Sequence, residues 1–305
     1  LQAHPTSMEQ WSALAQRAEA AGFAALCIAD HPGATCSPFV ALAAAAAVTT
    51  TINLGTSVIN AGVRQPLDVA SDAATLDLLS GGRVILGLGA GHTPSEWEAT
   101  GMEYPSPSER IDRFAELLAT VPRLMAGDTV TFRGRYVRLQ EASLAVNAAR
   151  HVPLLVGGSN PRLLRLGAEL ADIVEVGGTG RTLPDGHYHE ARWSETEVDR
   201  VTDIVSGAAA RADREPVLGA LVQYVEVTDD AATSTTQYLE RVAAVVPPAA
   251  LPSLDDALAA PYTLVGSVSD ILLKLDTIRE RWGITRYTVR SLESVASVID
   301  ALRGP

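Results

Sequence analysis

Arg83-Val84-Ile85-Leu86-Gly87-Leu88-Gly89-Ala90-Gly91-His92 is the stretch on which the reading of this chain turns: a short apolar run that ends in glycines and a histidine. Arg83 to Leu88 has the length and side-chain pattern of a strand buried on both faces. Immediately upstream, Pro66 to Leu79 carries helical spacing and is stopped by Gly81-Gly82, so helix and strand follow one another with almost no linker.

The same alternation runs outward in both directions. Ser7 can cap a helix with Trp11, Leu14, Ala15, Ala18 and Ala21 on one face, and Gly22 ends it. Strand Ala25 to Ala29, helix Pro38 to Val48 and strand Ile52 to Val58 follow. Downstream, the pattern predicts a helix from about Ser108 to Met125. It then predicts a hairpin of Thr129 to Phe132 and Tyr136 to Leu139 around Arg133-Gly134-Arg135. Strands Pro153 to Val156, Ile173 to Val176, Val217 to Val227 and Tyr287 to Val289 alternate with helices Pro161 to Leu170, Glu195 to Ala212 and Val268 to Trp282. A last helix ends near Leu302.

Leu1-Gln2-Ala3-His4-Pro5 reads as the end of a strand, so a first strand is expected to be only partly present. Counting it, eight strands joined by helices predict an α/β fold, a (β/α)8 TIM barrel, as a single domain over residues 1–305. Two insertions are expected: the hairpin around 129–139 and a Pro-rich loop around 246–261, marked by Pro247-Pro248, Pro252 and Pro261.

Composition narrows the function. A formal charge of −12 and no basic run argue against nucleic acid as a partner. The longest apolar run, Ala41 to Val48, is far short of the roughly 20 residues that span a bilayer, so no membrane partner is expected. Two cysteines, Cys27 and Cys36, make no disulfide framework, and a reducing cytoplasm is the expected location.

In such a barrel the chemistry sits where strands end and loops begin. That rule selects His4, Asp30-His31, Ser57-Val58-Ile59-Asn60, Gly89-Ala90-Gly91-His92, Gly157-Gly158-Ser159-Asn160 and Gly177-Gly178-Thr179-Gly180. Gly and small polar residues let backbone N–H groups approach a ligand, and the helix opening at Pro161 can hold a phosphate at its N-terminus. Gly pairs there also serve simply as tight turns. A metal reading rests on His187-x-His189 with Asp30, His31 and His92; the His pair follows the sixth strand, whereas barrel hydrolases usually place one at the first, and no metal is expected.

These strand-end residues resemble the bacterial luciferase-like superfamily of flavin and deazaflavin oxidoreductases over nearly the whole chain. The resemblance is carried by Ala29-Asp30-His31, Leu54-Gly55-Thr56-Ser57-Val58, Arg64-Gln65-Pro66, Ala74 through Val84, Gly87-Leu88-Gly89-Ala90-Gly91 with Glu96, and Val156-Gly157-Gly158. It is nearest to the shorter members that use coenzyme F420, an 8-hydroxy-5-deazaflavin, several of which have a non-proline cis peptide where this chain has Ser57-Val58. Members that oxidise sugar phosphates or alcohols have a Trp soon after the Asp-His pair and a Glu after the Gly-x-Gly. Here there is no such Trp, and His92 stands in place of the Glu, so glucose 6-phosphate is not the expected substrate.

The resemblance implies hydride transfer between the deazaflavin and a small organic substrate, with FMN-dependent monooxygenation as the alternative. His31 is then the acid–base residue, Asp30 orients it or accepts from the cofactor, and His92 contacts cofactor or substrate. Ser57, Val58, Asn60, Gly91, Gly157, Gly158, Ser159 and Asn160 are the expected cofactor-binding residues. Arg162, Arg165 and Arg181 are open to either a cofactor phosphate or surface pairing, and Cys36 to plain packing or a reactive thiol. A homodimer is expected, with a separate flavin or coenzyme F420 reductase as a further partner.

Overall fold

A computed structural model describes residues 1–148, 150–183 and 188–303. The chain divides into two compact units, Gln2–Gly157 and Gly158–Pro305 with Leu1.

In the first unit, helix α1 (Met8–Ala20) precedes strand β1 (Ala25–Ile28), α2 (Pro38–Ala46) precedes β2 (Asn53–Thr56) and the two-residue β3 (Ile59–Asn60), and α3 (Pro66–Ser80) precedes β4 (Val84–Gly89). Short α4 (Pro94–Ala99) and long α5 (Pro107–Met125) lead to the hairpin β5 (Val130–Arg133) and β6 (Arg138–Ala142), and β7 (Leu154–Gly157) closes the unit. The long strands pair in parallel in the order β1-β2-β4-β7, and β3 lies beside the end of β4. Gln2 forms a parallel bridge to Cys27, and the Ala3 N–H donates to Cys27 O at 3.0 Å, where the first strand is expected.

What reads as one strand from Ile52 to Val58 is broken. Gly55 pairs with Ile85 and Ile59 with Leu88, so four steps on one strand face three on the other, which is a bulge. Inside it, Thr56 inserts its hydroxyl between the strands, donating to Gly87 O and accepting from Gly87 N, both at 2.8 Å. A Cβ on Gly87 would lie 1.9 Å from Thr56 O, so only glycine allows this approach. The Ser57–Val58 peptide is cis.

The hairpin forms where its alternation places it, and α5 pins it. The Glu116 carboxylate accepts N–H bonds of 2.8 Å from Arg135, Tyr136 and Val137. The stretch after β4 is not wholly irregular: Trp97, 1% exposed, anchors α4 against Gly62, whose Cβ position lies 2.0 Å from the indole.

In the second unit, α6 (Pro161–Leu170) precedes β8 (Ile173–Val176), and the hairpin β9 (Thr179–Thr182) with β10 (His189–Ala191) precedes α7 (Glu195–Arg211). Strand β11 (Val217–Leu221) pairs in parallel with β8. The expected strand Val217 to Val227 is two. Its second half, β12 (Tyr224–Val227), leaves that sheet and pairs in parallel with β13 (Thr263–Gly266). Between them run α8 (Ala231–Ala243) and α9 (Leu254–Ala259), so the Pro-rich segment 246–261 is partly helical rather than a plain loop. Helix α10 (Val268–Trp282) ends at Gly283, at φ +68°, and β14 (Ile284–Thr288), begun three residues earlier than expected, pairs in parallel with β11; α11 (Ala296–Arg303) is the last helix.

Candidate functional site

Asp30 and His31 follow β1, and the loop after β2 brings the chain back past them at Asn60 and Arg64. The Asp30 side chain is 1% exposed. An isolated buried carboxylate would be costly, and its oxygens are fully engaged. Arg64 grips it with both arms, Nη2 to Oδ1 at 2.7 Å and Nε to Oδ2 at 3.1 Å, while the Asn60 N–H donates to Oδ2 at 3.2 Å. The bond to Asp30 raises the Arg64 guanidinium further above its usual range, against the opposing effect of burial.

His31 is held by a different carboxylate. Its Nδ1 lies 2.7 Å from Glu96 Oε1, on the first turn of α4, with the imidazole 32% exposed and the carboxylate 5%. Asn60 Nδ2 donates to the other oxygen, Glu96 Oε2, and Asn60 Oδ1 accepts the Gly62 N–H at 2.9 Å. Burial opposes ionisation of Glu96, but the bonds from His31 and Asn60 and the charge of His31 together hold its carboxyl below the ordinary range. Gly91, at φ +74°, backs this network, and a Cβ there would fall 2.0 Å from Asn60 Oδ1.

Beside these polar groups is an apolar ledge. Val58, after the bulge, packs where Gly89 and Gly157 have no side chains; Cβ atoms there would meet its methyls at 2.6 and 2.9 Å. Two strand-end glycines therefore leave the half-buried isopropyl group uncovered by neighbouring side chains. Ser57 is buried and held through its backbone: its N–H donates to Ile28 O at 2.9 Å and its carbonyl accepts Gln2 Nε2 at 2.6 Å.

Thus Asp30, His31, Ser57, Val58, Asn60, Gly91, His92 and Gly157 all belong to the first unit. The His92 ring meets His31 edge-on, centroids 5.9 Å apart, and its carbonyl accepts the Tyr104 hydroxyl at 2.7 Å. The side chain of Asn60 is engaged with Glu96 and Gly62. His4 is exposed, with its Nδ1 4.0 Å from Cys36 Sγ; burial, and then the charge of Asp30, push the Cys36 thiol up, away from reactivity.

Gly158, Ser159 and Asn160 fall in the second unit. There Ser159 Oγ lies 3.1 Å from Thr179 Oγ1 and accepts the Thr179 N–H, while Asn160 caps its own helix by accepting the Arg162 N–H at 2.9 Å. Both side chains are occupied at the helix end where a phosphate is expected. Arg181, 80% exposed, pairs with Glu190. His187 lies outside the described residues, and among those described no three His, Cys, Asp or Glu residues group as metal ligands.

Two residues central to this geometry, Arg64 and Glu96, are absent from the expected site. Both stand within the motifs that carry the family resemblance. The signal that points to Arg64 is physical: Asp30 requires a nearby cation if it is buried.

Parallel strands joined by helices, with a buried Asp, a carboxylate-bound His and a bulged strand at the strand ends, define an α/β protein with its candidate site on the sheet's C-terminal edge. The chain belongs to the luciferase-like monooxygenase family, whose model matches residues 2–286. It is 37% identical over 175 residues to an F420-dependent glucose-6-phosphate dehydrogenase of Beutenbergia cavernae, covering 54% of this chain and 52% of that protein. The chain spans about half the length of the curated relatives it matches. It shares its fold with the coenzyme F420-dependent tetrahydromethanopterin reductase of Methanopyrus kandleri (TM-score 0.77, 19% identity, 98% and 95% of the two chains). A monooxygenase of Streptomyces bottropensis shares it too (TM-score 0.76, 24% identity, 96% and 90%). Among the described residues, no helix is long and apolar enough to cross a membrane.

Proposed function

We propose that this protein is a coenzyme F420-dependent oxidoreductase that passes hydride between the deazaflavin and a small organic substrate, with His31 giving or taking the accompanying proton. The carrying observation is the pairing of a half-exposed His31, gripped from behind by Glu96, with the adjoining Val58 ledge kept flat by Gly89 and Gly157. A planar aromatic ring needs an apolar face and a polar rim, and these residues supply both. Bound there, the deazaflavin supplies a ring carbon that exchanges hydride. Val58 would support the ring, with Ser57, Gly91 and Gly157 shaping the surface. Asp30 and Arg64 hold the loop, and His92 lines the rim.

Support from the comparisons lies in the named activities of the Beutenbergia and Methanopyrus proteins. The substrate is taken to differ from glucose 6-phosphate, because the Trp and Glu expected for that group have no counterparts after Asp30-His31 and Gly89-Ala90-Gly91. The reading extends to a (β/α)8 TIM barrel whose first strand is only partly present, a cytoplasmic location and a homodimer. For the last, α2 and α3 of the first unit carry exposed Val40, Leu67, Leu78 and Leu79.

The second reading is an FMN-dependent monooxygenase fed by a separate reductase, favoured by the activity of the Streptomyces structure. Titrating the protein with coenzyme F420 and with FMN, followed by their fluorescence, separates the two. Binding of F420 at about micromolar levels and weaker binding of FMN is expected. Preference for FMN selects the second reading, and binding of neither overturns both.

A further inference from the structure

We infer that Glu96 is the positioning residue of His31: the carboxylate fixes the imidazole with its proton on Nδ1, leaving Nε2 as the nitrogen that exchanges a proton with substrate. The inference rests on the reading of His31 as the proton-carrying residue, and moves the orienting role from Asp30 to Glu96.

Three observations carry it. First, an acceptor-only group lies 2.7 Å from Nδ1, so that nitrogen must carry hydrogen. Second, the acceptor is itself immobilised. Asn60 Nδ2 donates to Glu96 Oε2, Asn60 Oδ1 is held by the Gly62 N–H, and the next residue, Trp97, is buried against Gly62. A carboxylate tied at one oxygen by an amide and braced by a buried indole presents its other oxygen in one direction, as an orienting group must. Third, Asp30 is already committed. Both its oxygens go to Arg64 and one also to the Asn60 N–H, so its charge is matched by a permanent cation, and Glu96 meets a titratable one.

Among the described residues, the charged and titratable groups near His31 include Glu96 on α4, His92 on the loop after β4, and the Asp30–Arg64 pair from the β1 and β3 loops. Of these, Glu96 holds an oxygen 2.7 Å from an imidazole nitrogen. Removing its charge should therefore alter His31 more than removing any other.

The test uses the full chain labelled with 15N at histidine, with the His31 signals identified by their loss in His31→Gln. In the wild type at high pH, long-range 1H–15N correlation should show the Nδ1–H tautomer, which is the minority form of free histidine. In Glu96→Gln, whose amide oxygen still accepts from Nδ1, the tautomer should persist while the His31 titration midpoint falls by about one pH unit or more, because an adjacent anion has gone. In Glu96→Ala the tautomer preference should disappear as well. Thermal unfolding of both variants reports whether the fold persists, and Asp30→Asn should leave the His31 tautomer intact.

An Nε2–H tautomer in the wild type, or a midpoint unmoved in a folded Glu96→Gln, overturns the inference. Coenzyme F420 titration of the same samples keeps the two claims apart: absent binding with the Nδ1–H tautomer present sinks only the cofactor reading, and binding with the wrong tautomer sinks only the role of Glu96.

Discussion

Gly91 and Gly33 both sit in loops beside the candidate site and both have positive φ, +74° and +86°. An alanine at either must adopt the left-handed region, at a cost of roughly 1–2 kcal/mol. They differ in surroundings. Nothing lies within 4 Å of a Cβ at Gly33, whereas a Cβ at Gly91 would stand 2.0 Å from Asn60 Oδ1 and 2.6 Å from Cγ. Asn60 is 4% exposed and cannot swing into solvent without abandoning its bonds. Displacing it sacrifices a bond to the Glu96 carboxylate, worth ~1.5–3 kcal/mol, and the bond from Gly62 N–H, worth ~0.5–1.5 kcal/mol. Gly33→Ala is therefore expected to lose ~1–2 kcal/mol, and Gly91→Ala about 2–4.5 kcal/mol more than that, measured by equilibrium urea unfolding of both variants beside the wild type. The His31 titration should move in Gly91→Ala and stay put in Gly33→Ala. If the two variants unfold within ~0.5 kcal/mol of one another, the Gly91–Asn60 packing has no energetic weight and the account of how Glu96 is braced is wrong.

Away from the site, Glu19 accepts three backbone N–H bonds, from Thr50, Thr51 and Ile52, and one from the Thr51 hydroxyl, and the bond from Ile52 leads in pulling its carboxyl from 4.5 to about 2. Its folded pKa is depressed, so its contribution is complete above the unfolded value of 4.5 and fades as pH falls toward 2. Water reaches the side chain, so Glu19→Gln is expected to cost ~1–2 kcal/mol at pH 7 and much less near pH 2.5; equal losses at both, by urea unfolding, would contradict this. Arg64→Ala leaves the buried Asp30 carboxylate without its cation and should destabilise by ~3–5 kcal/mol, with Asp30→Asn added to it recovering part of the loss; absence of any recovery in unfolding midpoints would show that the lost guanidinium packing, not the stranded charge, sets the cost. Glu116→Ala frees the three hairpin amides of Arg135, Tyr136 and Val137, so hydrogen exchange at those positions should accelerate at least tenfold while α5 stays protected.

Most elements of the first unit are legible because helices there end in glycine and strands follow at once, as Gly22 precedes Ala25 and Gly81-Gly82 precede Val84. What escapes reading is what depends on a partner in space. The run Val217 to Val227 has its one glycine, Gly219, inside β11 and no breaker at the crossing point, yet the chain changes sheets at Gln223, whose N–H donates to Tyr262 O. Helix α8 is hard to read because its fully buried residues are the small polar Ser234 and Thr235, while its apolar Tyr238, Leu239 and Val242 are only partly buried against the core. The start of β14 is masked by Arg286, a charge that reads as surface but donates from Nη1 to buried Glu175 at 2.8 Å. At the site, residue types at the strand ends identify Asp30, His31 and the Ser57–Asn60 segment, while their pairings do not follow from spacing. Adjacency in sequence suggests that Asp30 serves His31; the structure gives each its own partner, 34 and 65 residues away.

That separation has a chemical consequence. Asn60 joins the two charge pairs, giving its backbone N–H to Asp30 and its side-chain amide to Glu96. One pair contains a guanidinium that stays protonated at every pH the fold survives, so it acts as a fixed strut. The other contains an imidazole, so its strength varies with protonation. Had a single carboxylate served both cations, protonation of His31 would compete with Arg64 for the same oxygens and loosen the loop each time a proton moved. Splitting the roles lets His31 change charge against Glu96 while the Asp30–Arg64 strut keeps Asn60, and through it the acceptor of Nδ1, in place. In the proposed reading His31 gains and loses a proton in every turnover, and two carboxylates bridged by one asparagine give it surroundings whose geometry does not follow its charge.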